Sequence, residues 1–441
     1  MADLPFFVSA EAGDRLFCYA PTVGLSGLAD AATLPLVKEA ILRIPDSEWV
    51  PVVDLRGERQ GPVDVICLHP TAKCNFSCPF CYAREAHSSA RLDSHTAGAF
   101  LDEVLKRLTG RHLVVKIMGG GEPLCEPELV TELVADVAGR ISRMGVEGRI
   151  VLVTNGSLMS DRIVACCRKF GVTVTLSFEI LESLQERRRG AFRSVAQGFD
   201  LLLAEGVPVT VRTVIGQDNV YDQVAMIEVL AARHPGARRA WFEPDLSFGR
   251  LSVEEFREFS NAFVAGYFAA KARAEALGIV LETQLEQSSR MLLNRYCTAE
   301  LSLGPDGVVT CCHRVSSRTD PCCADFAVGE VRGGDVKIDW DLLCTRRVEL
   351  NAWSASCRDC LARLHCGGDC SWISGKLDAL RRQVRCEMIR SFVRQMRLLE
   401  LEKALSSRGL SLAVLQSQGR SAWLRHGKLT VCRSEGGIAC A

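Results

Sequence analysis

The chain has 441 residues and 53 basic against 53 acidic side chains, so its formal net charge at pH 7 is zero. A length well above about 300 residues predicts more than one domain. The balanced charge gives no electrostatic case for nucleic acid or a membrane surface as the partner. The first residues carry no basic region followed by a long apolar run. The sequence therefore predicts a cytoplasmic protein without a signal peptide or a membrane span.

Residues 1–60 form the first predicted segment, a short α+β unit. Two strands are expected around the turn Pro21–Gly24, and a helix with one apolar face is expected over 34–44.

Residues 61–250 alternate between apolar, β-branched runs and amphipathic helical stretches. The runs cover 63–70, 112–120, 148–156, 171–179, 207–215 and 238–244. This alternation predicts an α/β fold with a parallel sheet covered by helices. Residues 251–296 then predict a helical bridge, and 406–441 form a tail with little periodicity.

The loop 69–82 carries the most informative spacing in this chain. It places thiols at Cys74, Cys78 and Cys81, with Phe80 before the last of them. Three thiolates on one loop can each reach a different iron of a cubane cluster and leave the fourth iron without a protein ligand. The competing interpretation is a structural zinc knuckle, but structural zinc takes four ligands.

The pattern CxxxCxxC with this aromatic residue resembles the signature of the radical S-adenosylmethionine (SAM) superfamily. The resemblance implies that 61–250 form a partial (β/α)6 TIM-like barrel. It also implies a 4Fe-4S cluster whose open iron binds SAM, and reductive cleavage of SAM to a 5′-deoxyadenosyl radical. Loops at the carboxyl ends of the strands would form the site.

Further residues resemble the positions of that family that contact SAM. Gly119, Gly120, Gly121 and Glu122 resemble its GGEP motif, in which missing Cβ atoms let the backbone approach a ligand. The other positions are Phe80, Asn155, Ser177, Glu179 and Arg212. Glu179 stands where the family often has Asp. Ser177 as a turn cap and Arg212 as a structural cation are the competing interpretations.

Twenty-one cysteines are present, and eleven of them lie between Cys297 and Cys386. Disulfide-rich domains are small and need an oxidising compartment, so this density instead indicates reduced, metal-binding thiols. The spacing over 297–405 resembles the SPASM domain, which carries two auxiliary 4Fe-4S clusters. The implied ligand sets are Cys297, Cys312 and Cys370 for one cluster, and Cys357, Cys360, Cys366 and Cys386 for the other.

The first of these sets departs from the fully ligated pattern, because no cysteine lies between Cys297 and Cys311. That cluster has either an open iron or a fourth ligand from elsewhere in the region. The candidates for the fourth ligand are Cys311, Cys322, Cys323 and Cys344.

The resemblance implies three 4Fe-4S clusters, SAM and a peptide maturase that forms thioether, carbon–carbon or carbon–oxygen crosslinks in a ribosomally made precursor peptide. An electron donor such as flavodoxin or ferredoxin is expected, together with a separate leader-binding protein unless 1–60 supply a truncated leader-binding element. Otherwise 1–60 cap the barrel.

Two alternative functions remain open. One is formylglycine formation in a sulfatase, which is less favoured because His313 follows Cys312 where those relatives have Asp. The other is a non-catalytic zinc or metal-binding protein. No spacing identifies a general base, and the candidates are Glu243, His313 and Asp369.

Overall fold

The computed structural model describes residues 6–10, 15–52, 63–108, 112–245, 250–297, 300–350, 357–417 and 420–433. Its strands are β1 (Phe7–Ala10), β2 (Arg15–Ala20), β3 (Leu25–Asp30), β4 (Val65–Leu68), β5 (His112–Ile117), β6 (Glu147–Thr154), β7 (Thr173–Ser177), β8 (Val209–Ile215), β9 (Arg239–Pro244), β10 (Val280–Glu282), β11 (Glu300–Leu303), β12 (Val308–Thr310), β13 (Ala327–Arg332), β14 (Asp335–Ile338), β15 (Arg420–Arg425) and β16 (Lys428–Arg433).

The helices are α1 (Leu34–Leu42), α2 (Ser94–Leu105), α3 (Pro127–Met144), α4 (Asp161–Phe170), α5 (Glu182–Arg188), α6 (Phe192–Ala204), α7 (Gln223–Arg233), α8 (Val253–Ala276), α9 (Gln284–Ser289), α10 (Cys323–Phe326), α11 (Trp340–Glu349), α12 (Arg363–Cys366), α13 (Ser371–Ser374), α14 (Ala379–Ser406) and α15 (Leu412–Ser417). Within the described ranges, none of these helices has both the length and the apolar character that crossing a membrane requires.

The larger sheet has the strand order β10-β9-β8-β7-β6-β5-β4-β11-β12-β13-β14. Strands β4 to β9 pair in parallel and in chain order, with helices in the connections. These are the six strands that the apolar runs predict, so the predicted α/β class is confirmed. Burial alternates along strands such as β5, β7 and β8, so one side of each strand lies in the core and the other side is less buried.

The two faces of this sheet differ in polarity. Leu176, Val211 and Phe242 face the helices and are fully buried in the main core. Ser177 pairs with Arg212, and Arg212 pairs with Trp241, on the opposite face, where these residues are only partly buried. The sheet therefore presents polar and aromatic side chains on its inner face near the carboxyl ends of the strands.

Residues 251–296 differ from the predicted helical bridge, because they also add β10 to the sheet beside β9. The long helix α8 is present as expected and packs against α7 and α14. Tyr267 of α8 is fully buried, and its ring centroid lies 5.2 Å from that of Phe392 of α14. A three-residue strand is too short to show its period, which is why sequence reasoning missed β10.

The cysteine-rich region, residues 297–405, joins the same sheet at its other side. Strand β11 pairs in parallel with β4, with Leu301 opposite Ile66, and β12 to β14 continue antiparallel. Because the loop 69–82 follows β4, this pairing brings the cysteine-rich region next to that loop.

The smaller sheet has the order β1-β2-β3-β15-β16, so it combines both ends of the described chain. The predicted strands and helix of residues 1–60 are confirmed as β2, β3 and α1. The tail, whose sequence has little periodicity, forms α15 and the β15–β16 hairpin where the structure describes it. Strand β15 pairs with β3, a partner about four hundred residues away, and local periodicity cannot reveal such a partner. Cys432 and Cys440 have no ligand spacing and are predicted to be free thiols; Cys432 lies on β16, and Cys440 lies outside the described residues.

Trp423 of β15 anchors this smaller sheet and is 2% exposed in a core with Cys18, Val37 and Ile41. Replacing Trp423 with alanine is expected to cost about 3–5 kcal/mol of unfolding free energy, because it removes a large buried ring and leaves a cavity. Chemical denaturation measures this loss. The matched variant Tyr221→Ala removes an aromatic ring that is 83% exposed and should change stability by less than about 0.5 kcal/mol. Equal effects of the two variants would contradict the described packing.

Candidate active site

The loop 69–82, here called the cluster loop, follows β4 at the carboxyl edge of the sheet. The Phe76 N–H donates to Cys74 Sγ at 3.4 Å, and the Cys81 N–H donates to the Cys78 carbonyl at 3.2 Å. All three loop cysteines are free thiols. The loop thus presents three unpaired thiols on a short, internally hydrogen-bonded segment, a donor set that fits a site-differentiated 4Fe-4S cluster.

The glycine run after β5 packs directly against this loop. The Gly121 N–H donates to the Thr71 carbonyl at 3.1 Å, and the Glu122 N–H donates to the Lys73 carbonyl at 2.8 Å. A Cβ on Gly121 would lie 2.1 Å from the Lys73 carbonyl oxygen, and one on Gly120 would lie 2.2 Å from Ser316 Oγ. At Gly121 no other residue type fits without moving the backbone, whereas a Cβ at Gly120 would displace the Ser316 side chain.

The Glu122 carboxylate ties the segment after β5 to the end of β6. It accepts from Thr154 Oγ1 at 2.5 Å, from the Asn155 N–H at 2.7 Å and from the Leu124 N–H at 3.0 Å. Burial raises the pKa of Glu122, whereas these hydrogen bonds favour its charged form. Asn155 also donates to Asn75 Oδ1 of the cluster loop at 2.9 Å. The predicted SAM residues Glu122 and Asn155 therefore lie beside the cluster loop.

Ser177 and Arg212 lie on the inner face of the sheet, on paired strands. Arg212 lies 5.9 Å from the centroid of the Trp241 ring and 3.9 Å from Glu243 Oε2. Trp241 Nε1 donates to the same Glu243 oxygen at 2.7 Å. The Arg212 side chain remains 39% exposed, so one side of its guanidinium is accessible to an anionic group such as a carboxylate.

Glu179 is fully buried and forms ion pairs that sequence reasoning did not anticipate. One carboxylate oxygen lies 2.7 Å from Arg188 Nη1, and the other lies 2.7 Å from Arg189 Nε. Both guanidinium groups lie over the ring of Phe80, at 4.4 and 4.7 Å from its centroid. The only sequence signal was the run of arginines at 187–189, which also fits a solvated helix end.

The proposed ligands of the second auxiliary set lie close together. Burial, and then the charge of Asp369, raises the pKa of Cys366, and the charges of Cys386 and Cys360 add to this. Burial raises the pKa of Cys386, and the charges of Cys360 and Cys357 act in the same direction. The fold thus brings these four thiols within electrostatic reach of one another.

The first auxiliary set is similarly grouped. Burial, followed by the charge of Cys370, raises the pKa of Cys297. Burial, followed by Glu300 and Cys370, raises the pKa of Cys312. Among the four candidates for a fourth ligand, the charge of Cys311 also contributes to the raised pKa of Cys297.

His313 and Glu300 form a hydrogen-bonded pair beside this first set. His313 Nδ1 lies 2.7 Å from Glu300 Oε1, which also accepts from the His313 backbone N–H at 2.7 Å. Lys116 Nζ lies 3.7 Å from the other oxygen of Glu300. Cys67 Sγ completes a group whose ligand atoms lie within 4.8 Å of one another, but the Lys116 ammonium already balances the carboxylate. Burial lowers the pKa of His313, so its ring is neutral at pH 7.

Arg314 links the cluster loop to the cysteine-rich region. Its guanidinium lies 5.4 Å from the ring centroids of both Tyr82 and Trp372, and these two rings are 6.0 Å apart in an edge-on arrangement. Tyr82 follows Cys81, and Arg314 lies two residues after Cys312. The contact between Arg314 and Tyr82 thus connects the thiols of the cluster loop with the first auxiliary set of thiols.

Residues 68–230 match the sequence profile of the Radical SAM superfamily. This matched segment contains the cluster loop, the glycine run, Asn155 and Arg212, and the family is the one that the cysteine spacing predicts.

The chain is 24% identical over 282 residues to the serine-type anaerobic sulfatase-maturating enzyme of Klebsiella aerogenes, covering 59% of this chain and 69% of that protein. Other curated relatives, among them an AdoMet-dependent heme synthase of Methanosarcina barkeri and a GTP 3′,8-cyclase of Clostridium perfringens, are matched over about half of their length.

Two solved structures share the fold. Native anSMEcpe with bound AdoMet and Cp18Cys peptide superposes with a TM-score of 0.61 at 14% identity, covering 76% of this chain and 98% of that one. Streptococcus suis SuiB bound to precursor peptide SuiA gives a TM-score of 0.50 at 12% identity, covering 71% and 72%. At these identities the likeness carries the fold alone.

Proposed function

We propose that this protein is a radical SAM peptide maturase that forms an oxidative crosslink in a ribosomally made precursor peptide. The observation that carries the proposal is the Arg314 contact with Tyr82 and Trp372. This contact joins the cluster loop to a second group of thiols. An enzyme that generates a substrate radical and then removes an electron from it needs two such metal-binding groups close to each other.

The ligands in this proposal are those that the sequence predicts. Cys74, Cys78 and Cys81 hold the first 4Fe-4S cluster, and the two sets in the cysteine-rich region, read as a SPASM domain, hold two auxiliary clusters. The bound groups would supply the 5′-deoxyadenosyl radical, which removes hydrogen from an unactivated carbon, and a route for the second electron. The glycine run, with Asn155 and Arg212, holds SAM in place.

His313 is the general base in this proposal. Oxidation of a substrate carbon radical to a crosslink releases one electron and one proton, and the proton needs an acceptor. Because the Glu300 carboxylate only accepts hydrogen bonds, Nδ1 of His313 carries the ring proton and Nε2 is the basic nitrogen.

The other two candidates for the base are engaged elsewhere. Asp369 is paired with Arg385 through two hydrogen bonds, one of 2.8 Å. Glu243 accepts from Trp241 Nε1 and, at 3.4 Å, from the Gln284 N–H. Each carboxylate therefore has an identifiable structural partner, which leaves His313 as the preferred base.

Formylglycine formation is the second candidate function. It is favoured by the likeness to the sulfatase-maturating enzyme of Klebsiella aerogenes and to anSMEcpe. Crosslinking is preferred because His313 follows Cys312, a position where the family resemblance implies Asp for a sulfatase-maturating enzyme.

The remaining partners belong to the same proposal. A flavodoxin or ferredoxin delivers the electron, and a separate protein or the smaller sheet holds the leader of the peptide. Strands β1 and β16 are the outer strands of that sheet, and an outer strand offers its backbone to an extended peptide.

Anaerobic incubation with SAM, dithionite and a candidate precursor peptide, for example one encoded beside this gene, tests the function. The expected product has lost two hydrogens per crosslink and resists fragmentation between the linked residues. A product of the same mass that reacts with a hydrazide probe would identify the aldehyde of formylglycine instead. Zinc without iron or sulfide in the anaerobically purified protein would identify a zinc-binding protein and overturn both enzymatic functions.

A further inference from the structure

Arg188 and Arg189 both lie over the Phe80 ring of the cluster loop, and the proposed chemistry does not use them. Arg189 is 10% exposed, and its Nη1 lies 3.9 Å from Cys78 Sγ. Arg188 is 6% exposed. Among the described residues, its guanidinium makes no comparable contact with a thiol of the cluster loop. The guanidinium of Arg189 thus lies directly at a predicted cluster ligand.

The carboxylates around this pair lie mainly on the side of Arg188. Arg188 donates to the Val214 carbonyl and lies 3.7 Å from Asp218 and 3.8 Å from Asp245, in addition to Glu179. Arg189 shares Glu179 with Arg188 through its Nε, while its Nη1 lies at Cys78 Sγ. The positive end of the Arg189 side chain therefore faces the loop.

The local backbone fixes this arrangement. Glu179 is followed by Ile180 at φ 65°, and Arg189 is followed by Gly190 at φ 83° and Ala191 at φ 54°. Positive φ values are costly for Ile and Ala. The Gln185 side chain accepts from the Glu179 N–H at 3.0 Å and donates to the Gly190 carbonyl at 2.8 Å, which closes the turn. Two strained residues and a bridging amide thus hold Arg189 against Phe80 and Cys78.

We propose that Arg189, positioned by Glu179, raises the reduction potential of the cluster held by Cys74, Cys78 and Cys81. Reduction adds one negative charge to the cluster, and a guanidinium within a few ångströms stabilises that charge in a site with little water. Glu179 acts in the opposite direction, because its negative charge offsets part of this field while it holds Arg189 in place. Both act as positioning and electrostatic residues in this proposal, and the Glu179 carboxylate, predicted from the sequence to contact SAM, is instead engaged by the two arginines.

The test is a potentiometric titration of the reconstituted protein without SAM or peptide, followed by electron paramagnetic resonance of the reduced cluster. Arg189→Gln is expected to lower the reduced fraction at least tenfold at a fixed potential, about 59 mV for one electron. Glu179→Gln is expected to raise the reduced fraction, because it leaves a positive charge unbalanced. Arg189→Lys keeps the charge and should lie between Arg189→Gln and the unchanged protein.

Arg187→Gln is the matched control, since Arg187 belongs to the same arginine run but is 57% exposed and pairs with Asp218 at 3.1 Å. It should leave the potential unchanged. Shifts of the same sign in Arg189→Gln and Glu179→Gln, or shifts no larger than the control, would overturn the proposal and assign the pair a purely structural role. If Arg189→Gln fails to hold iron, the sign of the Glu179→Gln shift decides. No peptide is involved, so failure here is distinct from failure of the crosslinking function.

Discussion

Alanine in place of Cys74, Cys78 or Cys81 is expected to abolish SAM cleavage and to remove about four irons per chain, one cubane cluster. Each thiol lies on the loop that the glycine run contacts, so each substitution removes one of the three ligands proposed for this cluster. Iron and sulfide analysis together with 5′-deoxyadenosine formation under dithionite measure both effects.

Cys166→Ala is the control for this series, because Cys166 lies on α4 as a partly buried free thiol and belongs to none of the predicted ligand sets. It should retain full iron content and full SAM cleavage. Undiminished 5′-deoxyadenosine formation by any one of the three cluster-loop variants would remove the basis for the site described here.

Replacing His313 with glutamine is expected to lower crosslink formation by about 10²- to 10⁴-fold, the range that a general base contributes. SAM cleavage should continue, because His313 belongs to the cysteine-rich region and not to the cluster loop. The ratio of 5′-deoxyadenosine to crosslinked peptide, read by mass spectrometry, separates the two effects. His112→Gln is the matched control, since His112 is 79% exposed on β5. A proportional loss of cleavage and crosslinking in His313→Gln would contradict its role as base.

The pH dependence of crosslinking follows from the same residue. Burial lowers the pKa of His313 below its ordinary value of 6.5. Because the neutral ring is the base, crosslinking should be constant above that value and should fall only as pH drops through the lowered pKa. The Glu300 charge opposes this lowering. In Glu300→Gln the pKa of His313 should therefore be lower still. The acid limb of the pH–rate profile should move to lower pH, and the rate of crosslinking should decrease. A limb above pH 6.5 would contradict the assignment.

The strands and the cluster loop were predictable because their signals are local. Apolar runs, helical periodicity and the spacing of Cys74, Cys78 and Cys81 are each contained within a few residues. The residues that surround them were not predictable in the same way. The partners of Glu179 are nine and ten residues away on a strained turn, and the fixing of His313 by Glu300 follows from where β11 pairs.

Sequence resemblance named Glu122, Asn155 and Arg212 without indicating what else they contact. Only the fold reveals that the Glu122 carboxylate already accepts three hydrogen bonds. In the tail, sequence reasoning missed an element altogether. The β15–β16 hairpin has no local sequence signal, because Trp423 is buried by residues from the other end of the chain. When a residue is buried by partners that are distant in sequence, the local hydrophobic periodicity does not reveal its burial.

The backbone pairing of β11 with β4 limits how this protein could be re-engineered. Exchanging 297–405 for the matching part of a relative would replace one of the two strands flanking β4, and would thereby disturb the segment from which the iron-binding loop emerges. Chimeras that cut the chain near residue 297 are thus expected to lose the first cluster along with the others, whereas chimeras that carry β4, its following loop and β11 from one parent should keep it.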